Sequence, residues 1–238
     1  MTQTTEPTNW AAGIEGCLLV GLGTLLLRKG WEGQLPLYIH PRYVPLVLIT
    51  GVLVLLIGAA RLLEIGKAGG PGLRAGAYGL LLAPLLLGLL IPARPAGAAL
   101  IDPQQLNSAG GRGYRSTNLL ASDDSRAWTL YDWMFARYTL APEQLAGRPV
   151  DVVGFVYRAP GQPADEFYVT RYVVACCIAD RSGTSLVVRS PQASGLAADR
   201  WVRVTGSITL RPAQPPELLV ADALVQPVPQ PAEPYLYP

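Results

Sequence analysis

The stretch Pro149-Val-Asp-Val-Val-Gly-Phe-Val-Tyr157 decides the fold class of the C-terminal half of the chain. Every second residue from Val150 to Val156 is small or aliphatic, and Asp151 and Phe155 stand among the residues between them. A period of two places successive side chains on opposite faces of a β-strand. The stretch therefore predicts a strand with one face in a core.

Further β-rich segments follow this strand, separated by turn signals rich in Gly and Pro. They cover residues 167–178, 186–189, 201–210 and 217–225, with a crossing segment over 191–199 between the third and the fourth. Five strands in this order predict an all-β C-terminal domain, an OB-like five-stranded barrel over residues 148–226. Other five-stranded barrels share the pattern. Residues 227–238 predict an extended, Pro-rich tail.

The chain before the predicted barrel divides into a connector and a linker. Residues 128–147 predict a short amphipathic helix and a connector, because Leu130, Trp133 and Met134 fall at helical spacing. Residues 102–127 are rich in Gly, Ser and Asn and predict a linker.

Residues 1–101 predict a membrane α-helical region. Charged residues make up 15% of the whole chain, against about a quarter in an ordinary soluble domain, and they are sparse in this part. Apolar segments near residues 10–27, 43–63 and 75–91 predict about three spans. The protein is therefore expected to be a multi-pass integral membrane protein. Positive charges on the two sides are nearly balanced, and Arg28-Lys29 tilts the expectation slightly toward a cytoplasmic C-terminal domain.

Charge and motif content argue against nucleic-acid binding and against catalysis. Residues 148–238 carry eight arginines and eight acidic residues, so the domain lacks the basic excess that binding to phosphates needs. The chain has no phosphate-binding loop of the Gly-Lys-Ser/Thr type. Its single histidine, His40, lies between two predicted spans, which disfavours a Ser-His-Asp or a Cys-His site.

The run Arg171-Tyr-Val-Val-Ala-Cys-Cys-Ile-Ala-Asp180 is the sharpest local feature of the sequence. On a regular strand Cys176 and Cys177 would point to opposite faces. A bulge would let both thiolates meet one ion, with Asp180 as a nearby oxygen ligand, and such ligands favour a transition metal such as Zn²⁺ or Cu⁺. The alternative is that two small side chains fill the barrel, and spacing alone favours that packing role.

Several motifs match a known family in its order along the chain. They are Tyr38-Ile-His-Pro-Arg42, Val153-Gly-Phe-Val-Tyr157, residues 167–180, Trp201-Val-Arg-Val-Thr-Gly206 and Pro231-Ala-Glu-Pro-Tyr-Leu-Tyr237. On these residues the chain resembles the YcgQ-like family of permease subunits, bacterial membrane proteins of uncharacterised function.

The resemblance implies a multi-spanning permease as partner and a metal or metalloid ion as cargo. Relatives carry a His-rich stretch between the second and third spans, whereas residues 61–77 contain no histidine. Cys176, Cys177 and Asp180 remain as the positions that match a ligand cluster. Arg171, Tyr172 and His40 lie in the matching motifs and are further candidate functional residues.

The expected function is that of an accessory permease subunit, with the barrel as an ion-handling or docking module. Few ionisable groups lie in the predicted spans, which argues against a pore formed by this chain alone. Two alternatives remain open at this point: a membrane-anchored assembly module without a transport role, and a thiol redox protein.

Overall fold

The computed structural model describes residues 10–63, 75–108, 122–213 and 216–237. The chain divides into two compact units, Met1–Arg94 and Pro95–Pro238, which we call the helical unit and the barrel unit. Most of the predicted linker, over 109–121, lies outside the described residues, as does the loop over 64–74.

The described part of the helical unit contains α1 (Trp10–Trp31), α2 (Val44–Leu63) and α3 (Ala75–Leu90). Between α1 and α2 the chain forms two short 3-10 turns, Leu35–Leu37 and Pro41–Tyr43. These helices coincide with the three predicted apolar segments. Helix α1 continues past residue 27, where a salt bridge from Arg28 Nε to Glu32 Oε1 at 2.6 Å supports its last turn.

Helices α1 and α2 approach each other closely through glycines. A Cβ atom added to Gly23 would lie 2.8 Å from the carbonyl oxygen of Gly51, and one added to Gly58 would lie 2.7 Å from the backbone nitrogen of Val20. Real side chains do not tolerate such distances, so the two backbones meet only because these positions lack a Cβ. Small residues at a helix–helix contact are typical of membrane helices, where apolar lipid removes the drive to bury leucine.

The exposure of α2 is the reverse of that of a soluble helix. Gly51 and Gly58 are buried, whereas Leu46, Ile49 and Leu56 are more than half exposed. Among the described residues, one helix, Pro41–Leu63, is long and apolar enough to cross a membrane, and the apolar segment Tyr78–Leu90 is shorter. A membrane location is therefore compatible with the structure, and the three spans remain a prediction.

The barrel unit contains six strands within its described residues. They are β1 (Pro149–Tyr157), β2 (Glu166–Val173), β3 (Ser182–Arg189), β4 (Trp201–Arg211), β5 (Glu217–Pro227) and β6 (Tyr235–Leu236). The strand order is β1-β4-β5-β3-β2-β6, and β1 also pairs with β2. That last pairing closes β1 to β5 into a barrel, so the predicted closed five-stranded barrel is confirmed.

Antiparallel pairing holds the barrel together except at one place. The crossing segment between β3 and β4 makes β3 and β5 parallel neighbours, with Val187 opposite Leu219. Gly154 is where β1 passes β2, and a Cβ there would lie 2.7 Å from the carbonyl oxygen of Thr170. Gly206 lies at the register shift between β4 and β5. Both glycines thus occupy positions where a neighbouring backbone leaves no room for a side chain.

In the described part of the barrel unit, the α-helices α4 (Leu130–Thr139) and α5 (Pro142–Leu145) lie directly before β1. A capping box between Thr129 and Asp132 begins α4. Leu130, Trp133 and Met134 of α4 are buried in the main core together with the inward residues of the strands. The predicted amphipathic helix therefore forms, and it packs on the barrel.

A second hydrophobic cluster lies on the outer face of the barrel. Phe155, Tyr172 and Trp201 form its centre, with ring centroids 5.7 and 5.8 Å from Phe155 to the other two. Two segments from opposite ends of the barrel unit cover it, residues 95–101, which we call the strap, and residues 228–237, which we call the tail. The sequence predicts residues 95–101 as part of the membrane region, whereas in the structure the strap lies against the barrel.

Candidate functional site

The two adjacent cysteines lie in a turn at the end of β2. We call residues 174–180 the cysteine turn. Asp180 Oδ1 accepts a hydrogen bond from Ala175 N at 3.1 Å, and its Oδ2 accepts one from Cys176 N at 2.7 Å. Cys177 N also points to Oδ2, at 3.5 Å. The predicted strand over 167–178 therefore ends early, at Val173, because the carboxylate takes the backbone donors that would continue the ladder.

This turn brings the two thiols to one side of the backbone. The Cys176 and Cys177 Sγ atoms are 3.7 Å apart, and Cys176 is exposed while Cys177 is half-buried. Neither thiol lies in the main hydrophobic core. The two cysteines therefore do not fill the barrel core, which is the role that their spacing favours. The turn, not a strand bulge, brings the two thiols close together.

The electrostatics of the turn keep the Cys176 thiol protonated. A hydrogen bond with Asp180, and then one with Cys177, raises the pKa of Cys176 to about 11. Burial alone would raise the pKa of Asp180, but the hydrogen bonds it accepts from the Cys176 thiol and the backbone lower it below its ordinary value. A nucleophilic or redox-active cysteine needs a lowered pKa. The surroundings of Cys176 have the opposite effect.

The geometry of the thiol pair suits half of a tetrahedral metal site. Two thiolates at about 2.3 Å from a tetrahedral zinc ion lie about 3.8 Å apart, close to the observed separation. Asp180 already uses both carboxylate oxygens on backbone donors. In the part of the chain that the structure describes, no group of three or more His, Cys, Asp and Glu side chains is arranged to hold a metal ion. Further ligands would have to come from elsewhere.

Arg171, the first residue of the motif, holds the tail. Its Nε donates to the carbonyl oxygen of Pro234 at 3.2 Å, and its Nη2 donates to the carbonyl oxygens of Glu233 and Tyr235. Its guanidinium also lies 5.9 Å from the centroid of the Trp201 ring. The role of Arg171 in this structure is to bind three consecutive backbone carbonyls.

Tyr172, the next residue, holds the strap. Its hydroxyl donates to the carbonyl oxygen of Gly97 at 2.9 Å. Burial raises the pKa of Tyr172 to about 12, so the hydroxyl keeps its proton at neutral pH. Adjacent residues of β2 therefore bind the two segments that cover the outer face.

His40 belongs to the helical unit, away in sequence from the cysteine turn. Its Nδ1 accepts a hydrogen bond from Arg42 N at 3.0 Å and so caps the 3-10 turn Pro41–Tyr43. Its ring also makes an edge contact with Tyr43, at 6.2 Å between centroids. The structure thus gives His40 a local role at the start of α2.

The outer aromatic residues have little surface left for a ligand. Phe155, Tyr172 and Trp201 are each less than a tenth exposed, and Tyr157 stacks near Tyr168 at 5.9 Å between centroids. Bases stack on exposed aromatic faces. Here residues of the strap and the tail cover the rings.

A cavity of about 180 Å³ lies on the outer side of β2 and β3. Its lining includes Leu106, Met134, Arg137, Tyr168 and Glu217. Sequence reasoning missed this cavity because its walls come from five separate parts of the chain. It missed the partners of Arg171 and Tyr172 for the same reason, although the aromatic residues of the tail were a signal that this segment is not simply extended in solvent.

Comparison with family models finds a match within the barrel unit. Residues 128–238 match the model of the DUF1980 C-terminal domain. Over 101 residues the chain is 26% identical to the UPF0703 protein YcgQ of Bacillus subtilis (strain 168), in an alignment that covers 40% of this chain and 35% of that protein. The match thus spans about a third of the curated relative's length. No solved structure matches the chain. These findings support a resemblance to YcgQ and DUF1980 proteins and say nothing of a permease.

Proposed function

We propose that this protein is an accessory subunit of a membrane permease, in which the helical unit anchors the barrel unit to the bilayer. The observation that carries the anchor is the inverted exposure of α2, with Gly58 buried and Leu56 exposed. In water this arrangement would leave a large apolar surface without cover. In a bilayer this pattern of exposure is expected, because lipid covers the leucines and small residues allow the helices to pack together.

An accessory role fits the helices better than a conducting one. Helix α2 has a single charged residue, Arg61, in its last turn, and α3 has none. Glu15 of α1 is buried, and its Oε1 accepts a hydrogen bond from the Tyr78 hydroxyl at 3.3 Å. Ion pathways in membranes are lined by ionisable and polar groups. Glu15 and Tyr78 form one bonded pair of ionisable side chains between the described helices. The ion pathway is therefore assigned to a partner protein.

The proposed partner is a multi-spanning permease with a metal or metalloid ion as cargo. This step rests on the YcgQ-like resemblance, since the printed name of the matched relative states no activity. We further propose that three spans of the helical unit cross the membrane and that the C-terminal domain is cytoplasmic. Its barrel is of the OB type, a fold that presents ligand sites on its outer face.

The ion-handling part of the proposal concerns the cysteine turn. Cys176 and Cys177 would supply two thiolate ligands to a cation such as Zn²⁺ that is cargo and not a resident cofactor, and Asp180 would hold the turn that brings the two thiols together. The separation of 3.7 Å between the thiols supports this assignment. Since Asp180 also binds backbone donors, the coordination would be completed by the permease or by the medium.

One observation favours a second candidate, an assembly module without a transport role. Both carboxylate oxygens of Asp180 serve to shape the turn, which is what a structural role requires. In that case the barrel would hold a partner protein, and the thiols would be dispensable. Thiol redox chemistry is the weakest candidate, because the pKa of Cys176 is raised.

The experiment that tests the proposal is isolation of the tagged chain from native membranes in a mild detergent. The accessory role predicts that the chain stays in the membrane fraction after alkaline washing and co-purifies with a multi-spanning protein. Replacing Cys176 and Cys177 by Ser should leave that complex intact while abolishing ion transport. A water-soluble chain, or a stable oligomer without a partner, would contradict the proposal. A complex whose transport activity survives the double replacement would favour the assembly module.

A further inference from the structure

The second half of β2 has the tail as its neighbour on the side of β1. Pairing of β1 with β2 ends where Phe155 lies opposite Thr170. Beyond that point the tail takes the place of β1, and β6 runs parallel to β2 with Tyr235 opposite Tyr172 and Leu236 opposite Val173. The barrel therefore opens a slot between β1 and β2, and an added strand fills it.

The slot binds the main chain of that strand. Arg171 donates to the carbonyl oxygens of Glu233, Pro234 and Tyr235. At the far end Val174 N donates to the carbonyl oxygen of Leu236 at 2.9 Å. Main-chain hydrogen bonds to an added strand are the source of affinity in peptide recognition by strand addition.

The slot also selects the side chains of the strand. Tyr235 is 3% exposed and lies in the outer aromatic cluster, whereas Leu236 is 9% exposed and lies in the main core. The two consecutive side chains thus enter two different hydrophobic sites, Tyr235 an aromatic one and Leu236 an aliphatic one. In strand addition such pockets for alternate residues give specificity.

The segment that leads to β6 is exposed between two fixed ends. Strand β5 ends at Pro227, and Val228 N donates to the carbonyl oxygen of Trp201 at 3.0 Å. Pro229, Gln230 and Ala232 are exposed. A proline-rich segment of this kind is extended and semi-rigid. This exposed segment is the hinge at which the strand that follows would be exchanged between two copies of the chain.

We infer that the slot along residues 171–174 is a peptide-binding site for an extended Glu-Pro-Tyr-Leu-Tyr segment, and that it takes this segment in trans from a second copy of the chain. The tail of a second copy has the same residues, so it makes the same contacts with Arg171 and the same two hydrophobic sites. Exchange of an identical element costs little, because each lost contact is regained in the partner. The inference concerns a surface that the proposed permease role does not use.

The test of the binding site uses a chain that ends at Gln230 and a fluorescent synthetic peptide of residues 231–238. We expect saturable binding by fluorescence anisotropy. We expect about tenfold weaker binding to the same chain carrying Arg171→Gln, because charge-assisted hydrogen bonds are lost. A control peptide with Leu236→Asp should not bind, since it would place a carboxylate in the core.

Each outcome of that titration decides the inference. Lack of saturable binding by a shortened chain that keeps its β-sheet circular dichroism would overturn it. If shortening abolishes the β-sheet signal, the wild-type peptide must restore that signal and the Leu236→Asp peptide must not. Failure of restoration would equally overturn the inference.

The test of exchange in trans uses intact chains with two different tags, mixed in a mild detergent. Co-isolation of the two tags that increases on gentle warming, and that excess wild-type peptide abolishes, is the expected result. Chains that never co-isolate, or that co-isolate regardless of the peptide, would show that the tail serves its own barrel only. Neither result depends on a permease, so the inference and the proposed function can fail separately.

Discussion

Tyr172 and Tyr235 lie side by side in the parallel pair of β2 and β6, and their hydroxyl groups bind consecutive residues of the strap. The Tyr172 hydroxyl donates to the carbonyl oxygen of Gly97, and the Tyr235 hydroxyl accepts from Ala96 N, both at 2.9 Å. The strap, at the start of the barrel unit, is thereby held by Tyr172 from the middle of that unit and by Tyr235 from its C-terminal part. The strap is part of the folded barrel unit, although only residues 91–94 separate it from α3.

Removing one of these hydroxyl groups should loosen the strap. Tyr172→Phe leaves the carbonyl of Gly97 without this donor, and we expect a loss of about 1 kcal/mol in the free energy of unfolding of the barrel unit. Proteolysis near residues 95–98 should also become faster. Tyr157→Phe is the matched control, because Tyr157 belongs to the same aromatic cluster and its hydroxyl does not hold the strap. Equal effects of the two changes would contradict the assigned role.

Glu166 makes the stability of the barrel unit depend on pH. This carboxylate is 2% exposed, and Arg189 donates to its Oε1 from Nε at 3.0 Å and from Nη2 at 2.8 Å. Arg211 also donates to Oε1. Burial would raise the pKa of Glu166, but the hydrogen bonds from Arg211 and Arg189 bring it below its ordinary value of 4.5.

A lowered pKa gives stability that is present above the ordinary value and is lost as the pH falls through the folded-state value. We therefore expect Glu166→Gln to cost about 2 kcal/mol at pH 7, a figure that allows for the partly exposed arginines. The difference between the wild-type chain and the variant should shrink below pH 4.5. Urea unfolding at a series of pH values measures it. A difference that is constant from pH 7 to pH 3 would exclude this linkage.

The contact of α1 with α2 should tolerate no added methyl group at its centre. A Cβ at Gly58 would lie 2.7 Å from Val20 N, so Gly58→Ala forces the two helices apart. Overpacking of this kind costs about 1–3 kcal/mol. Gly79→Ala in α3 is the matched control, because a Cβ there meets nothing within 4 Å. The stabilities of the two variants are compared by following the helical circular dichroism signal during unfolding in mixed detergent micelles. Equal stability of both variants would argue against the close helix contact.

Zinc binding should depend on the cysteines of the turn. We expect Cys176→Ser combined with Cys177→Ser to weaken Zn²⁺ binding by about tenfold or more, as two thiolate ligands are lost. Competition with a chromophoric chelator under reducing conditions measures the affinity. The matched control is Cys17→Ser, since Cys17 is an exposed cysteine of α1. Equal affinities of the double variant and the control would remove the cysteine turn from the account.

The strands were predictable because a period of two survives in residues 150–156 and 201–210, where one face of each strand packs in the core. The end of β2 at Val173 was not predictable from the sequence, because Ala175-Cys-Cys-Ile178 continues an apolar, β-rich run. Its cause is the side chain of Asp180, which binds backbone donors that precede it in the chain. A local pattern contains no sign of that contact.

The positions of the strap and the tail depend on contacts across long stretches of sequence. Ala96-Gly-Ala98 has the composition of a membrane segment, so the sequence predicts it as part of the membrane region. In the structure, hydrogen bonds with the hydroxyl groups of Tyr172 and Tyr235 hold it on the barrel. The Pro-rich composition predicts an extended tail; in the structure the tail bends at residues 232–233 and then forms the short strand Tyr235–Leu236. The tail forms a sixth strand because β1 leaves a slot beside β2, and that slot is built by a distant part of the chain.

The most direct measurement is the native mass of the tagged, full-length chain isolated from its own membranes in a mild detergent. The accessory role predicts a complex that contains a different, multi-spanning protein in addition to one or more copies of this 25.4 kDa chain. Masses that are only multiples of 25.4 kDa would contradict the accessory role, whether the chain is then a monomer or a tail-exchanged dimer.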